Sequence, residues 1–265
     1  MREVIHWPAK NRLVYLDEKA KPAFWDERWC AQGAKAEVSR KDYVVVATRR
    51  YLPLGSRILD GGCGPGGKVR ALAGAGYRAS GIDFAPNTVS RAKLAYPMLD
   101  IQLGDVRKLP FEKQTFDGYW SIGVIEHFWS GYDDILAEAA RVLKTDGYLF
   151  LSTPWFSPYR KWKAIRGGYP EIDFSDEPEA FYQFALSRQE IEAALEKQGF
   201  QLQRWTGLFS DMCMLEDMMS VKTQITWLLK PGGSLLKRFT RRFITELVRP
   251  FCGHSYLAVA QRKGQ

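Results

Sequence analysis

A chain of 265 residues, 46% apolar and 26% charged, has the material for one substantial core and fits a single α/β domain with insertions. No apolar run approaches the roughly 18 residues a membrane span needs, and the opening MREVIHWPAKNRLVYL lacks the apolar core of a secretory leader; a bilayer span is excluded and a cytoplasmic location expected. The net charge of +8 is concentrated between Lys222 and Arg249, where seven basic residues meet one acid, Glu246.

From Ser56 onward, strand-like and helix-like stretches alternate, the pattern of a parallel sheet covered by helices. SRILDGG reads as a first strand, followed by a glycine loop, a helix GKVRALAGAG closed by glycine, and a second strand YRASGIDF ending in an acid. Asn87 to Tyr96 reads as a helix, LDIQLGD as a third strand and FDGYWSIG as a fourth. DDILAEAARVLKTDG is an amphipathic helix with a glycine stop, and GYLFLSTP a fifth strand. Ser187 and Glu190 form a capping box that opens a helix ending at Gly199; FQLQRWTGLF and HSYLAVAQRK complete seven strands. Residues 1–54 stand outside the alternation and are expected to form a helical cap, with the main domain over 55–265. Two further segments, 154–186 and 210–252, read as helical insertions leaving strand ends at the carboxyl edge, where open α/β sheets bind ligands. There they and the aromatic helix FWDERW, with Trp25 and Trp29, would select an acceptor. Cys30, Cys63, Cys213 and Cys252 lie far apart with no CxxC, so four unpaired thiols are expected.

The glycine loop LDGGCGPGG satisfies GxGxxG through Gly62, Gly64 and Gly67, which alone would suit a dehydrogenase. Asp60 ahead of it gives D-x-G-x-G-x-G through Gly62, Gly64 and Gly66, and an acid suits a ligand bearing an ammonium and a sulfonium while repelling a pyrophosphate. This form resembles motif I of class I S-adenosylmethionine-dependent methyltransferases. The resemblance continues through Asp83 in SGIDFAP, Asp105 in LGDVRKLPF, FDGYWSIGVIEHF and RVLKTDGYLFLSTP, covering roughly residues 55–153. It implies a Rossmann-like, mostly parallel seven-stranded sheet with an antiparallel last strand. It also implies S-adenosylmethionine as cofactor, S-adenosylhomocysteine as product, and cofactor contacts from Asp60, Gly62, Cys63, Gly64, Gly66, Asp83, Phe84, Asp105, Val106 and Ser121. In that family the acid matched by Asp83 receives the ribose hydroxyls and the one matched by Asp105 lies near the adenine amine, although Asp105 could equally cap a turn. Cys63 is given no redox role.

Methyl transfer to a hydroxyl needs a base, and His127 in GVIEHF, at the carboxyl edge, is the candidate; the alternative is a histidine that only packs near the cofactor. The Glu126-His127 pair resembles that of ubiquinone-type O-methyltransferases, which favours oxygen over nitrogen or carbon; a lone Glu-His pair is a poor metal site, and no metal is expected. Residues 234–248 have helical apolar spacing with Lys237, Arg238, Arg241 and Arg242 between, and Met212, Met214, Met218 and Met219 lie upstream. Either this is a solvated surface helix, or residues 234–249 touch an anionic membrane; the methyl acceptor is expected to be a small molecule or a lipid-linked one, and an anionic one on the second reading. A nucleic-acid methyltransferase is the competing enzyme reading, but SIGVIEHF lacks the N/D-P-P-Y/F of exocyclic-amine enzymes, and no nucleic-acid partner is expected. A non-catalytic cofactor-binding protein is the third.

Overall fold

The computed structural model describes residues 3–32, 42–217 and 234–264; Met218, Met219, Lys222 and Lys230 lie outside the described residues. The main sheet contains β3 (Arg57–Gly61), β4 (Arg78–Asp83), β5 (Asp100–Leu103), β6 (Phe116–Ile122), β7 (Leu143–Ser152), β9 (Phe200–Leu208) and β10 (Ser255–Arg262), in the order β5-β4-β3-β6-β7-β10-β9. The first five in that order are parallel, and β10 runs antiparallel to both β7 and β9. The expected Rossmann-like architecture is therefore the observed one.

Strand β3 is buried along Ile58, Leu59 and Asp60, because helices cover both faces of a central parallel strand and remove the usual apolar/polar alternation. Its neighbours split the core in two. Leu59, Tyr119, Leu149 and Leu151 face α5 (Asp133–Val142) and α7 (Arg188–Lys197). Ile58, Trp120, Phe150 and Val259 face α2 (Tyr43–Thr48) and α3 (Gly67–Gly74). Trp120 stacks on Phe150 at 4.5 Å and donates its ring N–H to Thr48 Oγ1 at 3.0 Å, so the indole is buried with its polar atom satisfied. The Ser187 hydroxyl accepts from the Glu190 amide at the start of α7, as the capping pattern predicts.

Four expectations change. Helix α5 stops at Val142, not at Gly147: Leu143 already pairs with Phe116, and the ladder slips before Gly118 meets Tyr148 while Asp146 turns the chain at φ 64°. The amino-terminal region is not all helix. Strands β1 (Glu3–Trp7) and β2 (Arg12–Leu16) form a hairpin turned at Asn11 (φ 51°), and β8 (Phe181–Ala185), inside the segment read as a helical insertion, pairs with β2 to give a second, antiparallel sheet. Among the described residues there, α1 (Pro22–Gln32) and α2 are the α-helices, and the 154–186 segment supplies α6 (Pro158–Ile165). Finally, Cys213 and Cys252 are joined by a disulfide, because α8 (Ser210–Asp217) and the chain leaving α9 (Leu235–Val248) are packed together across 39 residues of sequence. Cys30 and Cys63 remain free thiols. No described helix is long and apolar enough to cross a membrane.

Candidate active site

A cleft enclosing about 120 Å³ opens at the carboxyl ends of β3, β4 and β6. Of the residues singled out in the sequence, Gly62, Asp83, Phe84, Asp105, Val106 and His127 line it; Asp60, Cys63, Gly64, Gly66 and Ser121 do not. The sequence reading missed Ala20, Gly104, Arg107, Ile122, Gly123, Val124 and Phe128, and treated Trp25 and Trp29 only as a possible cover.

Each element sets its side chain for a local reason. Gly62 sits at φ 80°, a conformation L side chains rarely adopt, and a Cβ there would lie 2.4 Å from Val124 Cγ2. Gly64 does not touch the cleft. A Cβ on it would stand 3.1 Å from the Trp29 ring, so this glycine makes room for the covering helix α1. Asp83 ends β4 with its carboxylate turned back on the loop, accepting from Gly64 N at 2.7 Å and from Ala85 N at 3.0 Å. Burial pushes its carboxyl up, and those amides oppose the shift. A carboxylate has about four lone-pair sites, so Asp83 retains acceptor capacity toward the cleft. Asp60 lies behind the loop, 2% exposed, and burial together with the Asp83 charge pushes it up to about 7. Asp105 is held below the ordinary carboxylate range by Arg107, which it binds through both oxygens at 2.6–3.1 Å. The Arg107 guanidinium also lies 5.3 Å over the Phe128 ring.

This lining fits a cation-bearing, aromatic-flanked ligand. Two carboxylates and the Trp25, Trp29, Phe84 and Phe128 rings face the cleft, the one guanidinium on its wall is tied to Asp105, and Asp60 adds a buried acid behind the glycines.

His127 follows β6 in a short 3-10 turn. Its Nδ1 lies 2.7 Å from the Tyr182 carbonyl oxygen, an acceptor only, so Nδ1 carries the proton and donates it, and in the neutral ring Nε2 carries the lone pair. The partner is available because β2 and β8 lose register at this point: Tyr15 pairs with Gln183 and Leu16 with Phe181, leaving Tyr182 as an extra residue whose carbonyl is turned to the histidine. The Trp25 and Tyr182 rings meet the imidazole edge-on at 5.1 and 5.0 Å. Beside it Glu126 is 1% exposed, burial pushing its carboxyl up to about 8, and its Oε2 has no partner among the described residues.

Helix α1 is fastened over the cleft through Asp26, whose backbone carbonyl accepts from the Arg91 guanidinium at 2.9 Å and whose carboxylate makes the larger set of bonds. Asp26 accepts from Thr88 N at 2.7 Å, Thr88 Oγ1 at 2.8 Å, Asn87 Nδ2 at 3.0 Å and Asn87 N at 3.3 Å, and so caps α4 (Pro86–Ala95) from 61–62 residues away. Burial alone would raise the Asp26 carboxyl; these bonds more than offset it and leave it below its ordinary value. Among the described residues of 154–186 and 210–252, none lines the cleft; the former reaches it through Tyr182 and His127.

Comparison with known proteins agrees with this geometry. The methyltransferase domain family matches residues 59–151. Over 194 residues the chain is 30% identical to a ubiquinone biosynthesis O-methyltransferase of Xanthomonas campestris pv. campestris, covering 71% of this chain and 80% of that protein. It is 29% identical over 174 residues to an S-adenosylmethionine-dependent methyltransferase of Mycolicibacterium smegmatis, covering 64% of this chain but only 62% of that one. Among solved structures, a phosphoethanolamine N-methyltransferase of Haemonchus contortus, in complex with S-adenosylhomocysteine, superposes with a TM-score of 0.52 at 17% identity, over 85% of this chain and 53% of that one. Sequence identity of this degree over most of the chain, together with the methyltransferase domain match, places the protein in the family of S-adenosylmethionine-dependent methyltransferases.

Proposed function

We propose that the protein transfers a methyl group from S-adenosylmethionine to an oxygen of a small, lipid-linked acceptor, with His127 as the base. The observation that carries this is the His127–Tyr182 hydrogen bond, which fixes the imidazole in the tautomer a base requires, at the cleft wall. The relative named as a ubiquinone biosynthesis O-methyltransferase adds weight to oxygen. When bound, the cofactor supplies an electrophilic methyl on a sulfonium. Asp83 and the backbone at Gly62 would hold its ribose and methionine parts, Asp105, Val106 and Phe84 would flank its adenine, and Asp60 would offset its charge from behind the loop. Trp25 and Trp29 exclude water. His127 Nε2 would take the proton of the acceptor hydroxyl as the C–S bond of the sulfonium breaks to leave neutral S-adenosylhomocysteine, giving a neutral ether and an imidazolium still hydrogen-bonded to Tyr182.

Support for a lipid-linked acceptor comes from α9. Leu235, Leu236, Phe239, Phe243 and Leu247 are 61–80% exposed along one side of this helix, while Ile244 and Val248 pack it against the Cys213–Cys252 pair. An apolar stripe of that kind beside Arg238 and Arg242 suits peripheral attachment to an anionic bilayer.

The test is incubation with ¹³C-methyl-labelled cofactor and a membrane lipid extract, followed by NMR of the product. An O-methyl signal in the lipid phase is expected, and His127→Ala should cut its rate about 10²–10⁴-fold with cofactor affinity near wild type. Label on nitrogen, on carbon or in nucleic acid would overturn the reading, and collapse of cofactor binding in His127→Ala would return that residue to the pocket wall.

A further inference from the structure

The excess basic charge of the carboxyl-terminal third does not lie on the apolar stripe of α9. At 100° per residue, Arg238, Arg242, Thr245 and Arg249 fall on the flank that adjoins the stripe at Leu235, with Arg241 beyond them. That flank faces the start of α8 across a cleft of about 340 Å³, lined by these residues together with Phe209, Ser210 and Asp211. Four guanidinium groups against two carboxylates, Asp211 and Glu246, leave a surplus of two positive charges. Arg241 donates to Asp211 at 2.6 Å and Arg249 to Glu246 at 2.5 Å, while Arg238 and Arg242 have no ion-pair partner among the described residues.

Two observations on the far wall indicate that the cleft is shaped for a ligand. Ser210, the first residue of the eight-residue α8, is 4% exposed, and its Oγ has no hydrogen-bond partner among the described residues. A buried hydroxyl left unpaired has lost its hydrogen bond to water without replacement, and an acceptor in the cleft would restore it. The residue before it, Phe209, is held at φ 53°, a left-handed conformation unfavourable for a bulky side chain. The first amides of α8 and its dipole add to the positive field on the same side. The disulfide between Cys213 and Cys252 ties the two walls together, so the cleft is a braced feature of the fold.

We propose that this cleft is a binding site for a phosphate group. The Ser210 hydroxyl donates from one wall, Arg238 and Arg242 from the other, and Arg241 and Arg249 are held in place by their carboxylate partners. Guanidinium forks match the geometry of phosphate oxygens, and exposed arginines kept on one helical flank without partners gain most from a dianion. Phe209 lies against Tyr43 with ring centroids 6.3 Å apart, and Tyr43 lies against Trp120, so the site sits one aromatic layer from the strand that ends at the active-site cleft. The phosphate could belong to a soluble ligand or to a lipid headgroup; the recognition chemistry is the same.

The experiment is calorimetric titration of the intact, oxidised protein with inorganic pyrophosphate at fixed ionic strength, with sodium sulfate as the ion control. Saturable binding is expected, tighter than sulfate. It should weaken at least tenfold in Arg238→Gln with Arg242→Gln and severalfold in Ser210→Ala, with affinity for S-adenosylhomocysteine unchanged in every variant. Pyrophosphate competing the protein off phosphatidic acid vesicles, with no retention on phosphatidylcholine, would assign the site to a headgroup; pyrophosphate binding without vesicle competition would assign it to a soluble ligand. Phe239→Ser with Phe243→Ser tests the apolar stripe separately, since it should abolish vesicle binding and leave pyrophosphate binding intact. Non-saturable uptake equal to that of sulfate, or binding indifferent to both Ser210→Ala and the double arginine change, overturns the site whatever the lipid result.

Discussion

Removing the Asp26 carboxylate should open the cover of the active site without touching its floor. Helix α4 starts at Pro86 behind Ala85, which offers no side-chain cap, so the amides of Asn87 and Thr88 depend on Asp26. Loss of a helix cap costs about 0.5–2 kcal/mol, and Asp26→Ala also strands the Thr88 hydroxyl and the Asn87 amide, which water replaces at little net cost. A penalty of about 1–2 kcal/mol on the closed position of α1 translates to roughly 5- to 30-fold weaker binding of S-adenosylhomocysteine, if closure accompanies binding. Trp25 and Trp29 stack 5.8 Å apart on this helix and report its position, so the emission of Asp26→Ala should shift to the red, with Trp25→Phe as the control for the remaining tryptophans. The pH dependence has a definite sign. Because the folded Asp26 carboxyl lies below its ordinary value, the contribution of the latch is complete above the unfolded value near 4 and is lost as pH falls through the folded value; Asp26→Asn should abolish that acid step. Affinity within twofold of wild type and unchanged emission in Asp26→Ala would refute the latch.

Asp83→Ala should weaken S-adenosylhomocysteine about 10- to 100-fold by calorimetry, through lost charge-assisted hydrogen bonds of about 1.5–3 kcal/mol and a slackened Gly64 turn. Glu126, pushed up to about 8, binds a proton in the folded state that the unfolded chain releases near pH 4; stability to urea should therefore decline between those values, by at most about 1.4 kcal/mol per pH unit, and Glu126→Gln should flatten the decline. Closing 39 residues by the Cys213–Cys252 bond restricts the unfolded chain by up to about 4 kcal/mol at 25 °C, so a reductant should lower the melting temperature of the wild type and not that of Cys213→Ser with Cys252→Ser; equal melting of the wild type in both conditions would remove the bond from the stability of the fold.

What was legible from residues alone was whatever is encoded locally. The D-x-G-x-G-x-G loop, the acid ending β4 and the Ser187–Glu190 cap each occupy a few consecutive positions, and each stands where its pattern puts it. The hairpin of residues 3–16 carried a readable signal as well: VIHW and LVYL are short apolar runs separated by a Pro-containing turn ending in Asn11, and the aromatic FWDERW helix next to them drew the whole segment toward a helical reading. The disulfide and the Asp26 cap had no local signal, because their partners are 39 and about 60 residues away and only packing of the finished sheet brings them together. Gly64 is legible from the motif, whereas its closeness to the Trp29 ring has no local signal.

The small second sheet explains why the amino-terminal segment and residues 154–186 go together. Trp7 of β1 stacks on Trp129 at 5.0 Å, two residues beyond His127, and Trp129 packs in turn on Phe181 and Phe184 of β8. The loop after β6 is thus gripped from one side by apolar rings and from the other by the carbonyl that the β8 irregularity exposes. An imidazole held only by a mobile loop would sample several rotamers, whereas here the sheet fixes both its orientation and its tautomer. The chain that builds this sheet continues directly into the covering helix α1, so one segment both orients the proposed base and closes the cleft. The described part of 210–252 contributes to neither. On the proposed function, acceptor choice therefore belongs to the hairpin, α1 and β8, and the basic and apolar flanks of α9 serve to bring the enzyme to where its acceptor resides. Substitutions on α9 should accordingly alter the dependence of turnover on lipid surface, and those at Trp25 or Tyr182 its dependence on the acceptor itself.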